Sequence, residues 1–168
     1  MSSSEKVVIG IDPGTLVTGY AVIKLAPSGI CVLDFGCIKP PPRFLLSSRY
    51  HVIYRDISHL IQTHKATEMA IETPFIHKNP QSALKLGSAL GCAIIAAKEQ
   101  ALRVYGYSPS QVKQGVTGLG SASKEEVEMV VRARLSLRTI VVRLDASDAL
   151  AIALHHANAS PANPPKEL

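Results

Sequence analysis

The chain has 168 residues, 46% of them hydrophobic, which suits a single ordered globular domain and speaks against disorder. Eighteen Lys and Arg against thirteen Asp and Glu leave a formal charge of +5, which favours an anionic partner and says nothing about fold. Cys31, Cys37 and Cys92, odd in number and without C-x-x-C spacing, argue against a disulfide framework or a zinc site and suggest a reducing compartment.

The elements follow in chain order. Lys6 to Ile11 reads as a buried strand and Asp12-Pro13-Gly14 as a turn. Val17 to Leu25 and Ile30 to Ile38, joined by Pro27-Ser28-Gly29, complete an antiparallel meander, which Pro40-Pro41-Pro42 stops. Arg43 to Thr63 carries an apolar stripe (Leu46, Tyr50, Ile53, Ile57, Leu60, Ile61) and reads as a helix. Glu68 to Glu72 is a short strand, and Asn79-Pro80 opens a long helix to about Gln100. Leu102 to Tyr107 is a fifth strand, and Ser108-Pro109 opens a helix ending near Gly115 to Gly118. Ser123-Lys124-Glu125-Glu126 reads as a capping box at the start of a helix to about Leu137. A final helix runs from Asp145 to near Ala159, followed by a flexible tail, residues 160–168, with three Pro. The order βββ-α-β-α-β-α-α-α predicts an α/β fold: a five-stranded mixed sheet with helices on its faces, in one domain spanning residues 1–159. No secretory leader is expected, and the longest apolar stretch, residues 86–97, is too short to span a bilayer; a soluble, cytoplasmic protein is expected.

Four carboxylates interrupt or close apolar stretches: Asp12 after Val7-Val8-Ile9-Gly10-Ile11, Glu72 after Met69-Ala70-Ile71, and Asp145 and Asp148 at the start of the last helix. Charge beside a core is costly unless paired or bound to a metal. Asp145 and Asp148, three apart, share a helix face, although the first turn of a helix also favours acids as caps. Asp12 alone could make an Asp-Pro-Gly turn, and Glu72 alone could be a surface strand end. Taken together, the four point to an oxygen-ligand site for a hard cation such as Mg²⁺, which in pairs can clamp both oxygens of a phosphodiester exchange.

Lys78, Lys85, Lys113 and Lys124 flank these acids in sequence, and Lys124 stands at a helix start beside a Gly loop, where a phosphate is well met. Any one of them could equally be a solvated surface lysine. Phe75 follows the Glu72 strand in a Pro-containing loop, where it could wedge against an unpaired base or pack in the core. Ala83, Gly87 and Gly91 recur every four residues, suiting close approach to the sheet or to a second copy of the chain. His155-His156 near a helix end read as partners of its last carbonyls. Asp12-Pro13-Gly14-Thr15 also resembles the phosphate-binding turn of actin-like ATPases, but those need two such domains and this chain supplies one.

The chain resembles the RuvC family of bacterial Holliday-junction resolvases from Val7 to about Asn158. The resemblance rests on Gly10-Ile11-Asp12-Pro13-Gly14 with Thr18-Gly19-Tyr20, Ile71-Glu72, Lys78-Asn79, Ser82 to Gly87, Gln111-Val112-Lys113-Gln114 and Asp145 to Ala153. It implies an RNase H-like fold with helices on both faces of the sheet, a homodimer, and paired symmetric nicking of like strands at a four-way DNA junction that leaves ligatable 5′-phosphates. Asp12, Glu72, Asp145 and Asp148 match the family's catalytic, metal-holding acids, with two Mg²⁺ per subunit and Mn²⁺ able to substitute. Some members carry His where this chain has Asp145. Phe75 matches the junction-wedging aromatic, and Lys113 and Lys124 match basic residues near the scissile phosphate; Lys78 and Lys85, which flank the acids in sequence, are expected to contact DNA as well. The family further implies partnership with a branch-migration helicase and junction-binding protein complex. A nuclease of RNA or RNA–DNA hybrids, or a non-catalytic junction-binding module, are the rival readings.

Overall fold

The computed structural model describes residues 6–73, 79–137, 144–159 and 166–168, with residues 144 and 145 described by their backbone alone. Strands β1 (Lys6–Asp12), β2 (Thr18–Ala26), β3 (Gly29–Ile38), β4 (Glu68–Glu72) and β5 (Arg103–Tyr107) form one sheet in the order β3-β2-β1-β4-β5. β1, β2 and β3 pair antiparallel, whereas β1, β4 and β5 run parallel. The described helices are α1 (Leu46–His64), α2 (Pro80–Lys98), α3 (Pro109–Thr117), α4 (Lys124–Arg134) and α5 (Leu144–Ala157). This is the expected element order and the expected mixed sheet.

β1 lies at the centre of the sheet, and Val7 to Ile11 are all buried, as a strand covered on both faces requires. Alternation splits its side chains. Val7, Ile9 and Ile11 join the core beneath α1 and α2, with Ile53, Ile57, Ala89 and Ala93. Val8 joins the opposite core beneath α3, α4 and α5, with Val112, Val127, Leu150 and Leu154. α5 is apolar nearly all round because it lies in that second core, where Ala149 to Leu154 are buried without exception. No helix among the described residues is long and apolar enough to cross a membrane.

Three departures from the sequence reading have a clear physical cause. α1 starts at Leu46, not Arg43, because the chain first closes a turn in which Phe44 N donates to Pro41 O at 3.0 Å. α4 stops at Arg134, short of Leu137, and Ser136 takes the left-handed φ of 52° that often follows a helix. Residues 166–168 do not behave as a free tail: Glu167 bridges to Tyr105, and Leu168 N donates to Val104 O at 2.9 Å, which covers part of the open edge of β5.

Candidate active site

The alternation that sends Val8, Ala70, Tyr105 and Tyr107 into the α3–α5 core directs Asp12 and Glu72 to the same face. The parallel pairing of Ile11 with Ile71 then brings Asp12 and Glu72 level at the carboxyl ends of neighbouring strands. α5 crosses this face with Asp148 near its start. Gly10 permits the crossing, since a Cβ there would lie 2.4 Å from the Ala149 carbonyl oxygen and 2.8 Å from Ala153 Cβ. The turn after Asp12 is tied by the buried Thr18, whose hydroxyl donates to Gly14 O at 2.7 Å and accepts from Gly14 N at 3.3 Å.

The opposite wall comes from α3 and α4. Ser108 caps α3 in a reciprocal pair with Gln111, and Ser123 caps α4 likewise with Glu126, which fixes Lys124 as the first residue of α4. Asp12, Glu72, Asp148, Lys113 and Lys124 line one cleft of about 220 Å³, with Pro109, Val112, Val127 and Ala151 as its apolar wall. Residues that the sequence marks on five separate elements therefore share one concavity. The apolar wall and Thr18 escaped that reasoning, because a buried Val or Thr carries no local mark of lying beside a site.

Charge in the cleft is strongly coupled. Burial, and then the charge of Asp148, push the Glu72 carboxyl above its ordinary range, while Lys124 and Lys113 partly offset them. Lys124 Nζ stands 3.0 Å from Asp148 Oδ2, and this hydrogen bond and charge, followed by the charges of Asp12 and Glu72, push the ammonium up despite burial. Among the described residues no three Asp, Glu, His or Cys side chains form a ready metal cluster. The Asp145 side chain lies outside the described residues, though its backbone stands in the first turn of α5. The donor chemistry nonetheless fits a hard divalent cation. The carboxylates of Asp12, Glu72 and Asp148 face one cleft, and the burial and the repulsion from Asp148 that raise Glu72 are what such a cation would offset.

Lys85 is exposed on α2 and does not line the cleft. Phe75 and Lys78 lie outside the described residues. His156 departs from its expected place among terminal helix carbonyls. It is buried and bonds Glu68 and Tyr107, because the end of α5 faces the sheet and not solvent.

Residues 8–156 match the family described as crossover junction endodeoxyribonuclease RuvC. The crossover junction endodeoxyribonuclease RuvC of Protochlamydia amoebophila is 42% identical over 155 residues, covering 92% of each chain. That of Pseudomonas aeruginosa is 46% identical over 151 residues, covering 90% of this chain and 86% of its own. The structure of Thermus thermophilus RuvC in complex with Holliday junction substrate superposes with a TM-score of 0.90 at 34% identity, covering 97% of this chain and 99% of the other. With its RNase H-like fold and a match spanning both strand-end carboxylates and α5, the chain belongs to the RuvC family of crossover junction endodeoxyribonucleases.

Proposed function

We propose that the protein resolves four-way DNA junctions, nicking two strands of like polarity symmetrically and leaving 5′-phosphate ends that ligase can seal. The observation that carries this reading is the convergence of Asp12, Glu72 and Asp148 with Lys113 and Lys124 in one cleft of a RuvC-family chain. Asp12, Glu72, Asp148 and Asp145 would hold two Mg²⁺ ions, or Mn²⁺ in their place. When bound, such ions polarise the phosphodiester and lower the pKa of an attacking water. The chain's own residues do the rest. Asp12 and Glu72, fixed at strand ends, and Asp148, fixed on a buried helix, hold the donor geometry without loop motion. Lys124 and Lys113 offset negative charge growing on the phosphate oxygens. The apolar wall of Val112 and Val127 limits water around these charges and so strengthens them. Phe75 opens the junction as a wedge, and Lys78 and Lys85 meet the backbone.

Two nicks need two sites, and α2 suits a dimer face. Leu84 and Ile95 are exposed on it, and among the described residues nothing outside the helix's own local backbone lies within 4 Å of where a Cβ on Gly87 or Gly91 would stand. That open groove fits the helix of a second copy related by two-fold symmetry. A branch-migration helicase and junction-binding complex would deliver the substrate.

The test is competition among a synthetic four-way junction, an RNA–DNA hybrid and a plain duplex in Mg²⁺. Selective paired nicking of the junction is expected, and equal or better cutting of the hybrid would overturn the reading.

A further inference from the structure

A buried polar chain runs behind the cleft on the α3–α5 side of the sheet. Glu68 opens β4, the strand that Glu72 closes, and is 4% exposed. Its Oε2 accepts from Lys6 Nζ at 2.6 Å and from His156 Nε2 at 2.8 Å, and its Oε1 accepts from Arg103 Nη2 at 2.5 Å. His156 Nδ1 meets the Tyr107 hydroxyl at 2.5 Å. The ring of His156 also lies 4.7 Å from that of Tyr105.

The chemistry of each member sets the direction of the chain. Burial pushes the His156 imidazole below its ordinary range although Glu68 pulls the other way, so the ring is neutral and carries one proton. Burial alone would raise the Glu68 carboxyl, but Lys6 and His156 outweigh it and hold the group ionised, so it accepts only. The single imidazole proton is therefore assigned to Nε2, facing the carboxylate, which leaves Nδ1 as an acceptor. Burial pushes the Tyr107 hydroxyl up, so it keeps its proton and donates to Nδ1. The chain reads Tyr107 to His156 to Glu68, and Lys6 and Arg103 balance the charge at its end.

Each member stands on an element that delivers part of the cleft. Glu68 shares a five-residue strand with Glu72. Tyr107 pairs in register with Glu72, its carbonyl accepts from Thr73 N at 2.8 Å, and it directly precedes the Ser108 cap of α3, the helix of Lys113. His156 lies two turns beyond Asp148 on α5. The close crossing of α5 at Gly10 limits its approach to the sheet, and directed bonds between buried polar groups add a specific register at its far end.

We propose that Tyr107, His156 and Glu68 are positioning residues, whose hydrogen-bonded chain sets the register of α5 against β4 and β5 and thereby holds Asp148 at its working separation from Glu72. The proposal rests on the nuclease reading above for what that separation achieves. The probing variant is Tyr107→Phe, which removes one hydroxyl and keeps the ring. The control is Tyr105→Phe, which removes a hydroxyl from the neighbouring ring that touches His156.

Full-length protein is titrated with Mn²⁺ by calorimetry without DNA, and junction cleavage is followed under single turnover. Y107F is expected to stay folded, to bind the junction without metal as the wild type does, and to weaken Mn²⁺ binding and slow cleavage by about tenfold each. Y105F is expected to match the wild type in both. Mn²⁺ affinity within twofold of the wild type in Y107F, even with a lowered Tm, would overturn the proposal and leave the chain a purely structural element. Equal losses in Y107F and Y105F would overturn it too. Failure of the wild type to cut the junction would strike the nuclease reading alone, since the DNA-free titration still decides the register claim.

Discussion

Lys124 Nζ and Asp148 Oδ2 stand 3.0 Å apart at the mouth of the cleft, joining the first residue of α4 to the buried helix α5. The lysine is more than half exposed, so the pair adds little to stability, about 0.5 kcal/mol or less. Its value lies in placing a cation among three carboxylates. Lys124→Ala should therefore slow single-turnover cleavage about 100-fold, the usual cost of one charge-stabilising donor, while Tm stays near that of the wild type.

Glu72 carries the opposite trade. Burial, and then Asp148, raise its pKa above 4.5, so its ionisation costs folding free energy once the pH exceeds the ordinary carboxylate range. Stability from this group is present below the unfolded pKa and lost as pH rises through the folded one. Glu72→Gln should thus stabilise the metal-free protein at pH 7 by about 0.5–2 kcal/mol, the range common when functional strain is removed, while abolishing cleavage. Urea unfolding with EDTA present reads the first effect, and a loss of stability would refute it.

The same physics separates what was legible in the sequence from what was not. The turn signal at Asp12-Pro13-Gly14 and the run Met69 to Ile71 mark both strand ends, because strand and turn chemistry is local. The three-residue spacing of Asp145 and Asp148 marks a shared face wherever a helix is expected. Which face that helix presents to the sheet is not marked locally. It depends on Gly10 meeting Ala149 and on His156 meeting Glu68, partners 88 residues apart. His156 misled for that reason: at a helix end its own neighbours suggest carbonyl partners, and only the fold supplies a carboxylate.

Gly10 shows how narrow that crossing is. Any side chain there must displace the Ala149 carbonyl or the backbone of Ala153. Gly10→Ala should cost about 1–3 kcal/mol by urea unfolding, the usual cost of overpacking, and should weaken Mn²⁺ binding as α5 moves off the sheet. Unchanged metal affinity would mean that the clash is absorbed elsewhere.

Acid should loosen the α3–α5 side first. Burial holds His155 and His156 below the ordinary 6.5, and among the described residues none hydrogen-bonds His155 Nδ1. The stability from keeping these rings neutral is complete above about 6.5 and falls as pH drops through their folded values. Glu68, held below 4.5, adds a further loss at lower pH. Calorimetry should therefore give a lower Tm at pH 5 than at pH 7, and His155→Asn should flatten that slope. An equal slope in the variant would assign the acid sensitivity to other groups.

The α2 groove makes a prediction about coupling between nicks. Gly87 and Gly91 leave open space on a helix whose outward side exposes Leu84 and Ile95, while Ala89, Ala93, Ala96 and Ala97 face the core. A bulky charge at position 91 would therefore block a partner helix without touching the fold. Gly91→Arg should give a monomer by light scattering, with Tm and Mn²⁺ affinity near those of the wild type. On a supercoiled plasmid carrying a cruciform, the wild type should produce mainly linear DNA, because the proposed dimer brings two sites to one cruciform. The monomer should produce mainly nicked circles, since each encounter delivers one cut and the cruciform relaxes before a second arrives. Linear product from a proven monomer would remove α2 from the mechanism of paired cleavage.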